Sequence, residues 1–131
     1  MSGMQRRKGA TGERELVQEL NRLGLMCRRS VQYAGKPGTD ADVVCEALSL
    51  HIECKRTERF KWTQTLKQVK RDSKGKPWVI AYRFNDGPWL IIQPLEQWFA
   101  DSTMAQQAKQ YRMAIIAREA QRLRDETGEA V

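Results

Sequence analysis

The sequence contains few residues of the kinds that build soft-metal or disulfide sites. It has one histidine, His51, which excludes a site made of several histidines and is expected to be an ordinary strand-face residue. The cysteines, Cys27, Cys45 and Cys54, are odd in number and form no C-x-x-C pair. Neither a zinc site nor a disulfide framework is predicted, and buried free thiols in a reducing cytosol are the default.

Long apolar segments are also missing. No apolar run approaches the roughly 18 residues that a membrane helix needs. The basic N-terminal stretch "MSGMQRRKGATGER" is not followed by an apolar stretch, so it is not predicted to be a secretory signal. The 131 residues suffice for one domain with its own core, and a cytoplasmic protein is expected.

Positive charge is what the chain has in excess. Lys and Arg number 23 against 16 Asp and Glu, which gives a net charge of +7 and a pI near 9.6. The basic residues recur along the chain in "QRRK", "CRRS", "ECKR" and "LKQVKRDSKGK". Such a surface predicts a polyanionic partner, most commonly nucleic acid, although a solvated surface that is merely basic is the alternative.

Apolar periodicity and turn residues predict helices and strands in the order α-β-β-β-α-β-β-α, which indicates an α/β protein with a mixed sheet flanked by helices. The predicted strands are 25–33, 42–47, 48–56, 76–84 and 88–94, the last two joined by an "NDG" hairpin turn. The predicted helices are Gly12 to Leu23, 61–74, a short one from 94, and a long one over 103–128.

The helices carry apolar stripes that predict which faces are buried. Thr11 is the expected N-cap of the first helix and Gly24 its stop. The buried stripe of that helix is predicted to be Leu16, Val17, Leu20 and Leu23, and that of the second helix Trp62, Leu66 and Val69. The C-terminal stripe is Met104, Ala108, Tyr111, Ile115 and Leu123, which packs either on the chain's own sheet or against a second copy.

Four polar residues stand where chemistry is expected. Glu13 points from the first helix along its buried face, and Asp42 opens the strand "DVVC". Glu53 and Lys55 share one face of the next strand, and a hairpin of these two strands would bring Asp42 close to Glu53. Clustered carboxylates are costly unless a cation neutralises them, and hard oxygen ligands select Mg²⁺ or Mn²⁺. The alternative is a solvated strand face with alternating charges.

A lysine beside such acids suits a phosphate substrate, because it can hold the scissile phosphate, orient water or stabilise the charge of the transition state. The set therefore predicts metal-assisted hydrolysis of a phosphodiester.

Asp42, a spacer and then Glu53-x-Lys55 on a strand resemble the signature of the PD-(D/E)xK nucleases. The stretch "RKGATGERELVQELNRLG" followed by "RRS" resembles the archaeal-type Holliday junction resolvases and their phage relatives. The resemblance covers Arg7 to Lys55 and continues more loosely to Phe99.

This resemblance implies a restriction-endonuclease-like core and a role for each matching residue. Asp42 and Glu53 match the metal-binding acids, Lys55 the catalytic lysine, and Glu13 a helix glutamate near the metal. The backbone carbonyl of Cys54 would be a further ligand. Arg29 and Ser30 match an Arg-Ser pair that the resolvases carry near the site. Gln68 matches a glutamine on the helix that follows the Glu-x-Lys strand.

Two departures bear on the first acid. Ala41 replaces the proline of the motif, and Asp40 is a second acid that competes with Asp42 for the ligand role. Asp42 is favoured because it directly abuts the strand.

The expected activity is that of a Mg²⁺-dependent DNA endonuclease resembling Holliday junction resolvases, acting as a homodimer, with Mn²⁺ as a substitute. The expected organisation is a flexible basic arm over 1–10, a nuclease domain over 11–101 and a helical extension over 102–131. The alternatives are a non-catalytic DNA-binding module and a repair or restriction-type nuclease for flaps, nicks or duplex DNA. The phage resemblance favours a viral origin. The predicted DNA contacts are Arg6, Arg7, Lys8, Arg14, Arg29, Ser30, Lys36, Arg56, Lys67 and Arg71.

Aromatic residues add one further expectation. Trp78, Trp89 and Trp98 are predicted to be core residues because each lies in an apolar strand or an amphipathic helix. Trp62, next to Lys61, is the tryptophan best placed to be a base-stacking residue instead.

Overall fold

The computed structural model describes residues 3–30 and 42–128, with side chains from residue 9 onward. Its elements are α1 (Gly3–Arg22), β1 (Cys27–Arg29), β2 (Val43–Cys45), β3 (His51–Arg56), α2 (Trp62–Ser73), β4 (Trp78–Arg83), β5 (Leu90–Ile92), α3 (Leu95–Asp101) and α4 (Thr103–Thr127). None of the described helices has the length and apolar character required to span a bilayer.

The strands form one five-stranded sheet in the order β1-β2-β3-β4-β5. β3 and β4 are parallel and connected through α2, whereas the other neighbouring pairs are antiparallel. The predicted hairpin between β4 and β5 is present, and Asp86 in its turn has a positive φ of 60°. The mixed sheet flanked by helices is therefore confirmed.

The main core lies between α1 and one face of the sheet. Its buried side chains are Leu16, Cys27, Val43, Cys45, Ile52, Val79 and Ala81. The prediction that Leu23 belongs to this face is wrong: its side chain is 64% exposed. The reason is that α1 ends at Arg22 and the chain turns at Gly24, whose φ is +102°, so Leu23 lies beyond the packed turns.

α2 covers the opposite face of the sheet. Its buried residues are Thr65, Val69 and Ser73, spaced one helical turn apart. The predicted inner-face position of Trp62 is wrong, since its side chain is 56% exposed. Trp62 is the first residue of the helix, and its ring packs edge-on against Phe60 instead of entering the core.

The first helix begins earlier in the chain than predicted. α1 begins at Gly3, so residues 3–10 are helical, and Thr11 lies within the helix and is not its N-cap. By compactness the chain divides into Met1–Gln93 and Pro94–Val131, which groups α3 with α4. Within the second unit the Ser102 side chain caps α4 by accepting a hydrogen bond from the Met104 N–H (3.2 Å). The functions of the three predicted regions stay predictions.

We predict opposite effects for two glycines of α1. A Cβ at Gly12 would lie 2.5 Å from the Arg56 Cβ on β3, whereas a Cβ at Gly9 would meet nothing within 4 Å. Gly12→Ala should lower the free energy of unfolding by about 1–3 kcal/mol through overpacking. Gly9→Ala should raise it by up to about 1 kcal/mol through helix propensity. Urea denaturation of both variants checks this, and a Gly12→Ala protein as stable as Gly9→Ala would contradict the close α1–β3 packing.

Candidate active site

The backbone pairing of β2 with β3 places Asp42 opposite Glu53. Val43 pairs with Ile52 in this antiparallel ladder, and the Asp42 N–H donates to the Ile52 carbonyl (3.1 Å). One step along the same register Asp42 faces Glu53, so the two side chains lie on the same face of the sheet. The Asp42 carboxylate also accepts a hydrogen bond from the Cys54 N–H (2.9 Å) at its Oδ2, which fixes its orientation at the end of β2.

Glu53, Lys55 and Gln68 form a hydrogen-bonded triangle between β3 and α2. Gln68 donates through Nε2 to Glu53 Oε1 (3.2 Å), and its Oε1 accepts from Lys55 Nζ (3.2 Å). Lys55 Nζ lies 3.7 Å from Glu53 Oε1. The Glu53 side chain is only 2% exposed, whereas that of Lys55 is 28% exposed. One amide thus holds the lysine and the acid at a set distance, with the lysine nearer the solvent.

His51 completes the surroundings of Glu53. Its Nε2 lies 3.4 Å from Glu53 Oε2, and both side chains are buried. The sequence did not predict this contact, because His51 was expected to be an ordinary strand-face residue. The alternation along β3 already placed the side chains of His51, Glu53 and Lys55 together, and only the cover provided by α2 was not foreseen.

Glu13 approaches the acids from α1 and is paired with Arg29. The Arg29 Nε donates to Glu13 Oε2 (3.0 Å). The Ser30 N–H donates to the carbonyl of Asp42 (3.0 Å), so β1 continues directly alongside the first acid. The Arg29–Ser30 pair therefore lies beside Glu13 and Asp42, while a role for it in the site stays a prediction.

The electrostatics of Asp42 reflect this crowding. The pKa of Asp42 is raised to about 7, mainly by burial and also by the charges of Glu53 and Glu13, while the hydrogen bond from the Cys54 N–H opposes the shift. Burial and the same three carboxylates also raise the pKa of the Cys54 thiol. Crowded oxygen donors of this kind fit a hard divalent cation, which would offset their repulsion.

The acids are nevertheless not arranged as a finished coordination shell. Within residues 3–30 and 42–128, no group of three or more His, Cys, Asp or Glu side chains is positioned to hold a metal ion. The fit to a cation therefore rests on the chemistry and mutual repulsion of Glu13, Asp42 and Glu53.

The predicted DNA contacts occupy different surroundings. Arg56 bonds to Glu15 (3.3 Å) and Asn85 (2.7 Å), and Arg83 joins the same Glu15 carboxylate (3.1 Å). This network fastens α1 to the ends of β3 and β4, while a DNA contact by Arg56 stays a prediction.

Arg14 is exposed on α1, and Lys67 and Arg71 line a cavity beside Lys55. Outside the described side chains lie Arg6, Arg7, Lys8, Lys36, Asp40 and Ala41.

A similar solved structure is that of Archaeoglobus fulgidus Hjc, a Holliday junction resolvase from an archaeal hyperthermophile. The identity is 22%, the TM-score is 0.49, and the match covers 64% of this chain and 75% of that chain. A likeness at this level establishes no function by itself. The search of curated proteins gives no match.

The family comparison is more extensive. The model of the archaeal Holliday junction resolvase family, Hjc, matches residues 4–125 and so includes Glu13, Asp42, Glu53, Lys55 and Gln68. Because this match takes in nearly all of the sequence, the chain belongs to the archaeal Holliday junction resolvase (Hjc) family.

Proposed function

We propose that this chain is a divalent-metal-dependent endonuclease that hydrolyses phosphodiester bonds of four-way DNA junctions, with Mg²⁺ as the ion and Mn²⁺ as a substitute. The observation that carries the proposal is the triangle of Glu53, Lys55 and Gln68 beside Asp42, in a chain of the resolvase family. A half-buried Asp42 facing the buried Glu53, with a positioned amine beside them, suits metal-assisted hydrolysis of a phosphodiester.

In this proposal Asp42, Glu53 and the Cys54 carbonyl hold the ion, and Glu13 supports it from α1. When bound, the divalent ion supplies Lewis-acid polarisation of the phosphate and a lowered pKa of the attacking water. Lys55 meets the phosphate, stabilises the negative charge that develops on its oxygens, and orients the water. Gln68 keeps Lys55 apart from Glu53, because its amide accepts a hydrogen bond from the lysine and donates one to the acid.

The substrate is proposed from the family and from the charge. A net charge of +7 favours contacts with phosphates, which position DNA without reading its sequence. Recognition would therefore be of DNA shape. Resolution of a four-way junction requires two symmetric cuts, which a two-fold homodimer would supply.

Loss of the lysine is the first test of the proposal. Lys55→Ala should lower the rate of junction cleavage by about 100-fold or more, because the developing charge loses its partner. Binding measured by gel shift in EDTA should stay within about twofold, since one phosphate contact among many is lost.

The same assay should include flaps, nicks and duplex, each with Mg²⁺ and with EDTA. Cleavage of the junction that is lost in EDTA supports a resolvase. Equal cleavage of all substrates would support a less selective nuclease, and binding without cleavage would support a non-catalytic module.

A binding test separates the metal role of the acids from activity. Mg²⁺ or Mn²⁺ at 100 times its dissociation constant should stabilise the wild-type protein by about 2.7 kcal/mol. Asp42→Asn should be more stable than wild type without metal, because a buried carboxylate among other carboxylates is removed. Its melting temperature should no longer rise with the ion. A variant that is stabilised as much as wild type would remove Asp42 from the metal site.

Gln68 is expected to act by positioning Lys55. Gln68→Ala should reduce kcat by about tenfold and leave KM nearly unchanged, because substrate contacts are retained while the lysine loses its fixed place. Gln18→Ala, on the exposed side of α1, is the matched control and should have no effect. A change in KM alone would indicate that Gln68 binds DNA and does not order the lysine.

A further inference from the structure

A cavity of about 610 Å³ opens beside the proposed catalytic lysine. Lys55 and Gln68 belong to its lining, so the cavity adjoins the place proposed for the reacting phosphate. The remaining lining extends along α2 as far as Arg71 and over the loop that precedes the helix, within residues 57–71. Whatever occupies this space lies next to the bond that is cut.

The charge of the lining is of one sign. Besides Lys55, its ionisable side chains are Arg59, Lys61, Lys67 and Arg71. Among the described residues that line the cavity there is no carboxylate. Two of these five cations have an acidic partner outside the lining, because Lys55 lies 3.7 Å from Glu53 and Arg71 lies 3.2 Å from Asp72. Five cations against two acids still favour a ligand that carries phosphate groups.

One aromatic side chain, that of Phe60, lines the cavity, and its neighbours Trp62 and Tyr82 lie outside the lining. Phe60 packs edge-on against Trp62 (ring centroids 4.5 Å apart) and against Tyr82 (4.8 Å). Trp62 is 56% exposed although it is among the largest apolar side chains of the chain. Rings held in place at the edge of a basic groove provide a surface on which a base can stack.

The size of the cavity decides between single-stranded and duplex ligands. A volume of about 610 Å³ falls in the range of small-molecule pockets and suits one nucleotide. A duplex is far wider, and its bases are already stacked on one another. Only a nucleotide that leaves the stack can reach Phe60 and Trp62, and leaving costs least where pairing is already broken.

We propose that this cavity binds an unpaired nucleotide of the cleaved strand, adjacent to the scissile phosphate. The base lies against Phe60 and Trp62, and the flanking phosphates meet Arg59, Lys61, Lys67 and Arg71. The inference rests on the proposed function, because it places this nucleotide next to Lys55. It adds a basis for substrate choice: DNA with an unstacked nucleotide at its branch point is preferred over uniform duplex.

The test measures binding in EDTA, so that no cleavage intervenes. Three DNAs of equal length are compared: a four-way junction with one unpaired thymidine at the crossover, the fully paired junction, and a duplex. The proteins are wild type, Trp62→Ala, Phe60→Leu and Lys61→Ala. The control is Lys76→Ala, which removes the same charge from an exposed position outside the cavity lining.

Wild type should bind the junction with the unpaired thymidine most tightly. Trp62→Ala and Phe60→Leu should weaken that binding by about tenfold, the effect of one lost base stack. Their affinity for duplex should change by less than about twofold. Lys61→Ala should weaken the unpaired substrate more than Lys76→Ala does. Circular dichroism and urea denaturation confirm that each variant is folded, and Trp62→Ala is the safer change because its side chain is exposed.

Two results would overturn the inference. If wild type shows no preference for the unpaired thymidine, the cavity does not take a free nucleotide. If the aromatic variants weaken junction and duplex equally, the cavity contacts only the duplex backbone. Failure of the proposed function is seen separately, as an absence of Mg²⁺-dependent cleavage by wild type, and leaves the outcome of the binding comparison intact.

Discussion

Two carboxylates face each other across the β2–β3 pair, and the rest of the site is arranged around them. The register that pairs Val43 with Ile52 sets Asp42 opposite Glu53, and burial with the neighbouring charge raises the pKa of Asp42 to about 7. A fold gains no stability from such a pair. The donors from Cys54 and Gln68 offset part of its cost, and a bound cation would offset more. The retention of this unfavourable contact supports the proposed metal-dependent function.

Much of this pair was predictable because strand geometry is regular. An acid at the start of one strand, and an acid and a lysine two residues apart on the next, have fixed faces once the strands are known. The sequence did not predict all of the residues of α2 that pack over those faces. His51 became a partner of Glu53, and Trp62 an exposed ring, because α2 lies over the sheet with Thr65 and not Trp62 as its first buried residue. Helix periodicity alone does not say which residue starts the contact.

The position of α1 was also beyond the sequence, for a different reason. Arg56 is one of the basic residues predicted to contact DNA, and that contact stays a prediction. In the fold Arg56 shares Glu15 with Arg83, while Gly12 permits α1 to approach β3 closely. These partners of Arg56 lie far from it in the chain, so the sequence did not reveal them. The same close packing brings Glu13, one residue after Gly12, near enough to Asp42 for its charge to raise the pKa of that acid.

α2 carries residues of both the proposed active site and the cavity beside it. Gln68 bonds to Glu53 and Lys55, while Lys67 and Arg71, one turn apart, line the basic space beside them. Because these residues share one rigid helix, the distance between a phosphate at Lys55 and a phosphate in the cavity cannot vary freely. A strand must therefore follow a particular path to occupy both places. Continuous stacked duplex follows its own regular path, whereas a strand at a branch point can bend to meet the two sites. In the proposed function, selectivity for branched DNA would arise from spacing along one helix, without any contact that reads a base sequence.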